Sequence, residues 1–168
     1  MKENVSIRRA HLGDEAILAR IQTESWRAAF AGILDPETLQ SRTEFGRVKA
    51  MYLRTLQQQL GRGYILFIGD RPHCIAWWDA ARDERLTGKA EIICIHSLPD
   101  NWRRGYGSQM MDFLLSDIRG AGYREAVLWV FRDNLRARAF YEARGFHLTD
   151  YSATALGAQE VLYAIRLA

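Results

Sequence analysis

Arg103, Arg104, Gly105, Tyr106, Gly107 and Ser108 stand between an apolar run, Glu91 to Leu98, and a stretch whose apolar residues Met110, Met111, Leu114, Leu115 and Ile118 recur at helical spacing. Two glycines let a backbone turn tightly and approach a ligand with no Cβ in the way. The helix start behind them offers unpaired N–H groups and the positive end of a dipole. A phosphate or pyrophosphate is the natural guest of such a turn, although a tight strand-to-helix connection needs the same residues. Two nucleotide motifs are excluded by spacing. A dinucleotide fingerprint requires a third small residue where this chain has Met110, and no Gly-Lys followed by Ser or Thr occurs. Arg103 and Arg104 would sit beside phosphates, or be two solvated arginines.

A second constellation lies downstream. Asn134, Ala137 and Tyr141 are three and four positions apart, so a helix carries all three on one face. A small residue between two polar ones leaves room for a ligand. A core tyrosine with a satisfied hydroxyl is the alternative.

The elements that must position these residues follow from the patterning. Val5 to Arg9 reads as a strand, and Asp14 can cap a helix carrying Ile17, Leu18, Ile21 and Trp26. Asp35-Pro36-Glu37 starts another helix, and a third covers about Phe45 to Leu60 with Val48, Met51, Tyr52 and Leu56 inward. Gly61 and Gly63 mark its stop. Tyr64 to Ile68 and Cys74 to Trp78 flank Gly69-Asp70-Arg71-Pro72 as a hairpin, and Ala81 to Gly88 is loop-like. Ala126 to Phe131 reads as a strand covered on both faces. Asn134 to Arg144 reads as a helix closed by Gly145, with Phe146 returning as an apolar contact. The last strands lie near Phe146 to Tyr151 and Val161 to Leu167. This order predicts an α/β (α+β) fold, with helices on both faces of a mixed, mostly antiparallel sheet of about seven strands.

Composition narrows the function classes. The 168 residues suit one domain, 1–168, and 48% hydrophobic residues with 11% aromatics argue against disorder. A net charge of +3 from dispersed basic residues gives nucleic-acid binding little support. No apolar run approaches a membrane span and no signal-peptide core opens the chain, so a cytoplasmic address is expected by default. Cys74 and Cys94 read as buried thiols, and His11, His73, His96 and His147 show no metal-ligand spacing, so no metal site is expected.

The run from Ala90 to Met111 (AEIICIHSLPDNWRRGYGSQMM), followed by Leu128 to Phe146 (LWVFRDNLRARAFYEARGF), resembles the two central motifs of the GNAT superfamily of acetyl-CoA-dependent N-acetyltransferases. The opening IQTESWRAAFAGIL is similar to the first helix and following loop of many small bacterial members, so the likeness spans roughly residues 5 to 165. Gly105 and Gly107 match the family loop, while Trp102 stands where Gln or Arg is expected.

The resemblance implies the GNAT acyltransferase fold, acetyl-CoA as cofactor, and a pyrophosphate held by backbone N–H groups of Arg103, Arg104, Gly105, Tyr106, Gly107 and Ser108. It implies that Ile95, His96, Ser97 and Leu98 pair through their backbone with the pantetheine arm, and that Asn134, Ala137 and Tyr141 contact it. Tyr141 would protonate the departing thiolate, since an alkyl thiol (pKa ~8.5) can take a hydrogen bond or proton from a positioned phenol (~10). Glu91 stands where one branch of the family carries its general-base glutamate, and a carboxylate paired with Lys89 or an arginine is the alternative. Trp26, Phe30, Trp78 and Asp79 match the region that shapes the acceptor side. One of Trp77 and Trp78 faces the core and the other the pocket.

The implied partner is a small-molecule amine, with no nucleic acid and no membrane, and with a homodimer allowed. Acetylation of a protein N-terminus or lysine, or acyl-CoA sensing without turnover, are the competing readings.

Overall fold

The computed structural model describes residues 3–168. Its centre is a seven-stranded sheet in the order β1-β2-β3-β4-β5-β7-β6. The strands are β1 (Val5–Arg9), β2 (Arg62–Ile68), β3 (Arg71–Ala80), β4 (Ala90–Ser97), β5 (Glu125–Phe131), β6 (His147–Ala155) and β7 (Ala158–Arg166). Helices α1 (Glu15–Ala29), α2 (Pro36–Arg42) and α3 (Phe45–Gln57) precede the β2–β3 hairpin. Helix α4 (Tyr106–Gly120) follows β4, and α5 (Leu135–Ala143) follows β5.

Strand alternation sorts the side chains into two layers. Leu66, Cys74, Ala76, Trp78, Ala90, Ile92, Leu128 and Tyr163 face α4 and α5, where Met110, Met111, Leu114 and Ile118 fill the core. Ile65, Ile75 and Trp77 face the other way, onto Leu18 and Ile21 of α1 and Val48 and Tyr52 of α3. Met51 departs from the inward stripe expected of α3 and is 37% exposed. The α2 start is as read, with Asp35 accepting from the Thr38 amide at 2.9 Å and Pro36 in the first turn. Asp14 precedes α1, but its carboxylate is taken by Arg8 (2.8 and 2.9 Å) and the His11 amide instead of the helix.

The hairpin turn is shorter than expected. Arg71 and Pro72 belong to β3, because the register slips between Leu66 and Phe67 and lets the strand continue to the turn. Gly63 lies inside β2 instead of ending a helix. A Cβ there would stand 2.1 Å from the Trp77 ring, so only glycine lets that indole lie across the strand.

All neighbouring strands pair antiparallel except β4 and β5, which run parallel and meet only at Ala90–Ala126 and Glu91–Val127. Beyond these two steps they part. On its other side β4 carries a bulge: Trp77 pairs with Cys94 and Trp78 with Ile92, leaving Ile93 as the extra residue. A bulge raises local twist, which carries the end of β4 away from β5.

Candidate active site

The parting of β4 and β5 opens a cleft of about 1540 Å³ that runs from the start of α4, between the two strands, to the faces of α1 and α3. Ordinary ligand pockets measure roughly 300–1,000 Å³, so there is room for two reactants.

The turn before α4 forms one mouth. Arg103 (φ +65°) and Gly105 (φ +85°) both adopt the left-handed region. Nothing lies within 4 Å of a Cβ built on Gly105, so glycine is needed there for its conformation and not for space. No side chain caps α4, so the first-turn amides remain for a ligand, and Gly105, Tyr106, Gly107 and Ser108 all line the cleft. The Tyr106 ring turns away, its hydroxyl donating to Glu3 at 2.6 Å. Arg103 lines the cleft, and Arg104 lies outside its wall.

Trp102 and Arg136 join the two lips of this mouth. The indole N–H of Trp102 donates to the Ser97 carbonyl at 3.1 Å, and the Arg136 guanidinium lies 3.2 Å from the centre of the indole ring. Burial and the neighbouring Arg103 charge push Arg136 below its ordinary range. Among the described residues neither arginine has a carboxylate partner. Two unpaired cations beside free helix amides fit a polyanion such as the diphosphate of coenzyme A.

Along the seam, Ile95, His96 and Ser97 of β4 line one side, and Asn134, Ala137 and Tyr141 the other. Leu98 leaves the wall: it is buried under α1 and α3, and its amide is taken by the His73 carbonyl at 3.0 Å. Asn134 caps α5, its Oδ1 accepting from the Ala137 amide at 3.2 Å. Tyr141 packs among Phe140, Phe146 and Tyr163, and burial pushes its phenol above the ordinary range. His96 Nε2 lies 3.2 Å from the Trp26 indole nitrogen. Indole can only donate, so His96 is the neutral tautomer with its proton on Nδ1, and burial lowers its pKa to about 4.

The far half of the cleft is walled by Trp26, Phe30, Trp77, Trp129 and Phe131. Phe30 bridges the edges of Trp26 and Phe131, each ring pair 5.0 Å apart. Of the two β3 tryptophans, Trp77 lines the cleft. Trp78 points to the α4 side, is 3% exposed and donates to Asp117 at 2.8 Å, so strand alternation sends it into the core and away from the acceptor side. Asp79 lines the wall. Glu91, its cross-strand neighbour, does not: Arg82 covers it, with Nη2 2.5 Å from Oε2 and the Arg82 amide 3.2 Å from Oε1. Lys89 pairs with Glu125 instead, at 2.8 Å.

The Acetyltransferase (GNAT) family model matches residues 24–146. The chain belongs to this family.

Its relatives agree. The chain is 28% identical over 151 residues to the probable N-acetyltransferase Rv2775 of Mycobacterium tuberculosis, covering 86% of this chain and 81% of that protein. It is 24% identical over 156 residues to the spermidine N(1)-acetyltransferase of Thermoplasma acidophilum, covering 88% and 91%. The fold matches the crystal structure of the PaiA N-acetyltransferase of Thermoplasma acidophilum in complex with coenzyme A, with a TM-score of 0.79 at 21% identity over 95% of this chain and 98% of that one. This GNAT protein is an acetyl-CoA-dependent N-acetyltransferase. Acetyl-CoA supplies the thioester and leaves as coenzyme A.

Sequence reasoning missed Arg82, Trp102 and Arg136 in this GNAT site. Arg82 sits in a polar loop with no periodicity, and Arg136 reads as one more arginine on an exposed helix face. Trp102 stood out only as a departure from the family loop. Cys94 lines the cleft, but burial raises the thiols of Cys74 and Cys94 to about 12, so both stay protonated at neutral pH. Among the described residues no three His, Cys, Asp or Glu side chains converge to hold a metal ion, and no helix is long and apolar enough to cross a membrane.

Proposed function

We propose that this GNAT enzyme acetylates the primary amine of a small polar molecule by direct transfer, donor and acceptor meeting in one cleft. The observation that carries the reading is continuity: one opening leads from the Gly105 turn, past Tyr141, to the aromatic wall around Phe30. Likeness to a spermidine acetyltransferase supports a small-molecule acceptor. Residues 1–168 read as one catalytic domain.

Each residue has a physical task. The first-turn amides of α4, with Arg103 and Arg136, hold the diphosphate. Ile95 to Ser97, unpaired toward β5, offer a strand edge to the pantetheine amides, with the Asn134 and Ala137 face closing the other side. A backbone N–H near the Ile93 bulge polarises the thioester carbonyl. A lysine-like amine must lose a proton before it attacks, at a cost of about 4–5 kcal/mol at pH 7, and Glu91, behind Arg82, is the carboxylate that relays this proton through water toward solvent. Tyr141 donates its proton to the leaving sulfur. Protonated cysteines make an acetyl-cysteine intermediate unfavourable and favour direct attack.

The test is thiol release from acetyl-CoA across a panel of small amines, N-terminal peptides and lysine peptides, with the products identified by mass. Acetylated small amines are expected. Products confined to peptides would replace this reading with protein acetylation, and coenzyme A binding with no product would make the chain a sensor.

A further inference from the structure

Helix α3 turns a charged face to the acceptor half of the cleft. Arg47, Met51 and Arg54 fall at successive turns of one face and all line the opening, with Arg42 from the last turn of α2 beside them. Arg47 and Arg54 are separated by seven residues, a rise of roughly 10 Å. None of the three arginines has a carboxylate partner among the described residues. Arg47 Nη1 meets only the hydroxyl of Ser41, at 3.0 Å. The nearest acid in sequence, Glu44, is occupied as the helix cap, accepting from the amides of Gly46 and Arg47 at 2.9 and 2.7 Å. Arg27, which could have shared the load, is tied to Thr43.

A complementary charge lies at the strand end of the same half. Asp79 and Glu160 line the cleft, and the guanidinium of Arg82 sits within the field of both while it neutralises Glu91. Two carboxylates therefore face the opening beyond the Arg82–Glu91 pair. The acceptor half thus has an acidic end on β3 and β7 and a basic rim on α2 and α3.

We infer that the acceptor is an amine that also carries an anionic group, a carboxylate or a phosphate, which the rim of Arg42, Arg47 and Arg54 receives while the ammonium lies toward Asp79 and Glu160. This rests on the reading that the chain acetylates a small amine, and it names the class. A polyamine fits the acidic end only, and its further ammonium groups would be repelled by three unpaired arginines. Met51, partly exposed on the cleft wall between the two α3 arginines, suits an aliphatic spacer.

Matched acceptors test this: lysine against cadaverine, ornithine against putrescine, phosphoethanolamine against ethanolamine, with spermidine alongside. The acetyl-CoA-loaded protein is measured for kcat/KM, and the coenzyme A complex for binding by calorimetry. In at least one pair the anionic member should be favoured by about tenfold or more, which is about 1.4 kcal/mol. The lysine and ornithine arms report a carboxylate, the phosphoethanolamine arm a phosphate. The preference should shrink with added salt and disappear in the double variant Arg47→Glu, Arg54→Glu. These side chains are exposed and have no carboxylate partner among the described residues, so the variant should melt like the parent and keep its acetyl-CoA affinity. Equal use or equal binding within every pair, no binding of any panel member, or preference for the diamines or spermidine overturns the inference. Failure of the broader reading shows elsewhere, as loss of acetyl-CoA binding or as products confined to peptides.

Discussion

Arg82 and Glu91 form an ion pair of unequal burial: Nη2 and Oε2 are 2.5 Å apart, with the Arg82 side chain 67% exposed and the Glu91 side chain 3% exposed. The carboxylate owes its place in the fold to that arginine and to the Arg82 amide.

Arg82→Ala should therefore lower stability by about 1–3 kcal/mol in urea unfolding, the cost of stranding a buried polar group, and Arg82→Lys should recover part of it. Glu91→Gln keeps the volume and removes the charge. If Glu91 receives the amine proton, the pH profile of kcat/KM changes in this variant. A profile identical to the parent would leave Glu91 as a structural partner of Arg82.

If Tyr141 protonates the leaving sulfur, Tyr141→Phe should reduce kcat on the order of 10²-fold with little change in acetyl-CoA affinity, because the ring packing survives and only the hydroxyl is lost. Burial raises the phenol above its ordinary range, so the protonated form persists to higher pH than in a free tyrosine. The parent's rate should consequently show no alkaline fall from this group below pH ~10. Unchanged turnover in the variant removes Tyr141 from the chemistry.

His96 should make the protein acid-sensitive. Its pKa is lowered from 6.5 to about 4 in the fold, so between those values the unfolded chain binds more protons. The stabilisation is complete above pH 6.5, is lost as the pH falls toward 4, and changes no further below that. Its size is on the order of 3 kcal/mol. Urea unfolding at pH 7.5 and 4.5 should show a larger loss in the parent than in His96→Phe. The remaining slope includes His73, whose pKa burial also lowers.

Gly63→Ala should destabilise by about 3 kcal/mol or more, because the added methyl meets the Trp77 ring at 2.1 Å and that ring is held by its N–H bond to the Leu60 carbonyl at 2.8 Å. Thermal melting measures the loss. The double variant Gly63→Ala, Trp77→Leu should cost less than the sum of the two single changes, since removing the ring relieves the clash that the methyl meets and the methyl fills part of the space the ring leaves.

The sequence made the scaffold legible where local rules and tertiary demands coincide. The start of α2 at Asp35-Pro36, the turn at Gly105 and the close of α5 at Gly145 are each fixed by the backbone conformation of a few residues. The Asn134, Ala137 and Tyr141 face needed only helical spacing. What stayed hidden depends on partners distant in sequence. Gly63 looks like a breaker until Trp77 is laid across it. Trp78 and Trp77 cannot be told apart until α4 on one face of the sheet and α1 and α3 on the other fix which layer each enters. Glu91 is named by the family resemblance, but its burial behind Arg82 depends on where a patternless loop returns. Asp14 looks like a helix cap because the cap rule ignores Arg8, six residues away, which takes the carboxylate first.

The two-step pairing of β4 with β5 makes the molecule two half-sheets stitched at Ala90–Ala126 and Glu91–Val127. Past that stitch, the backbone groups lining the gap belong to neither ladder, and a ligand with amides along its length can act as the missing strand. Coenzyme A would then be a splint as well as a reactant. At a hundredfold excess over its dissociation constant, such a splint adds about 2.7 kcal/mol to the folded state. The resistance of this chain to unfolding would thereby follow the cell's supply of acyl donor, tying the lifetime of the enzyme to the availability of the compound it consumes.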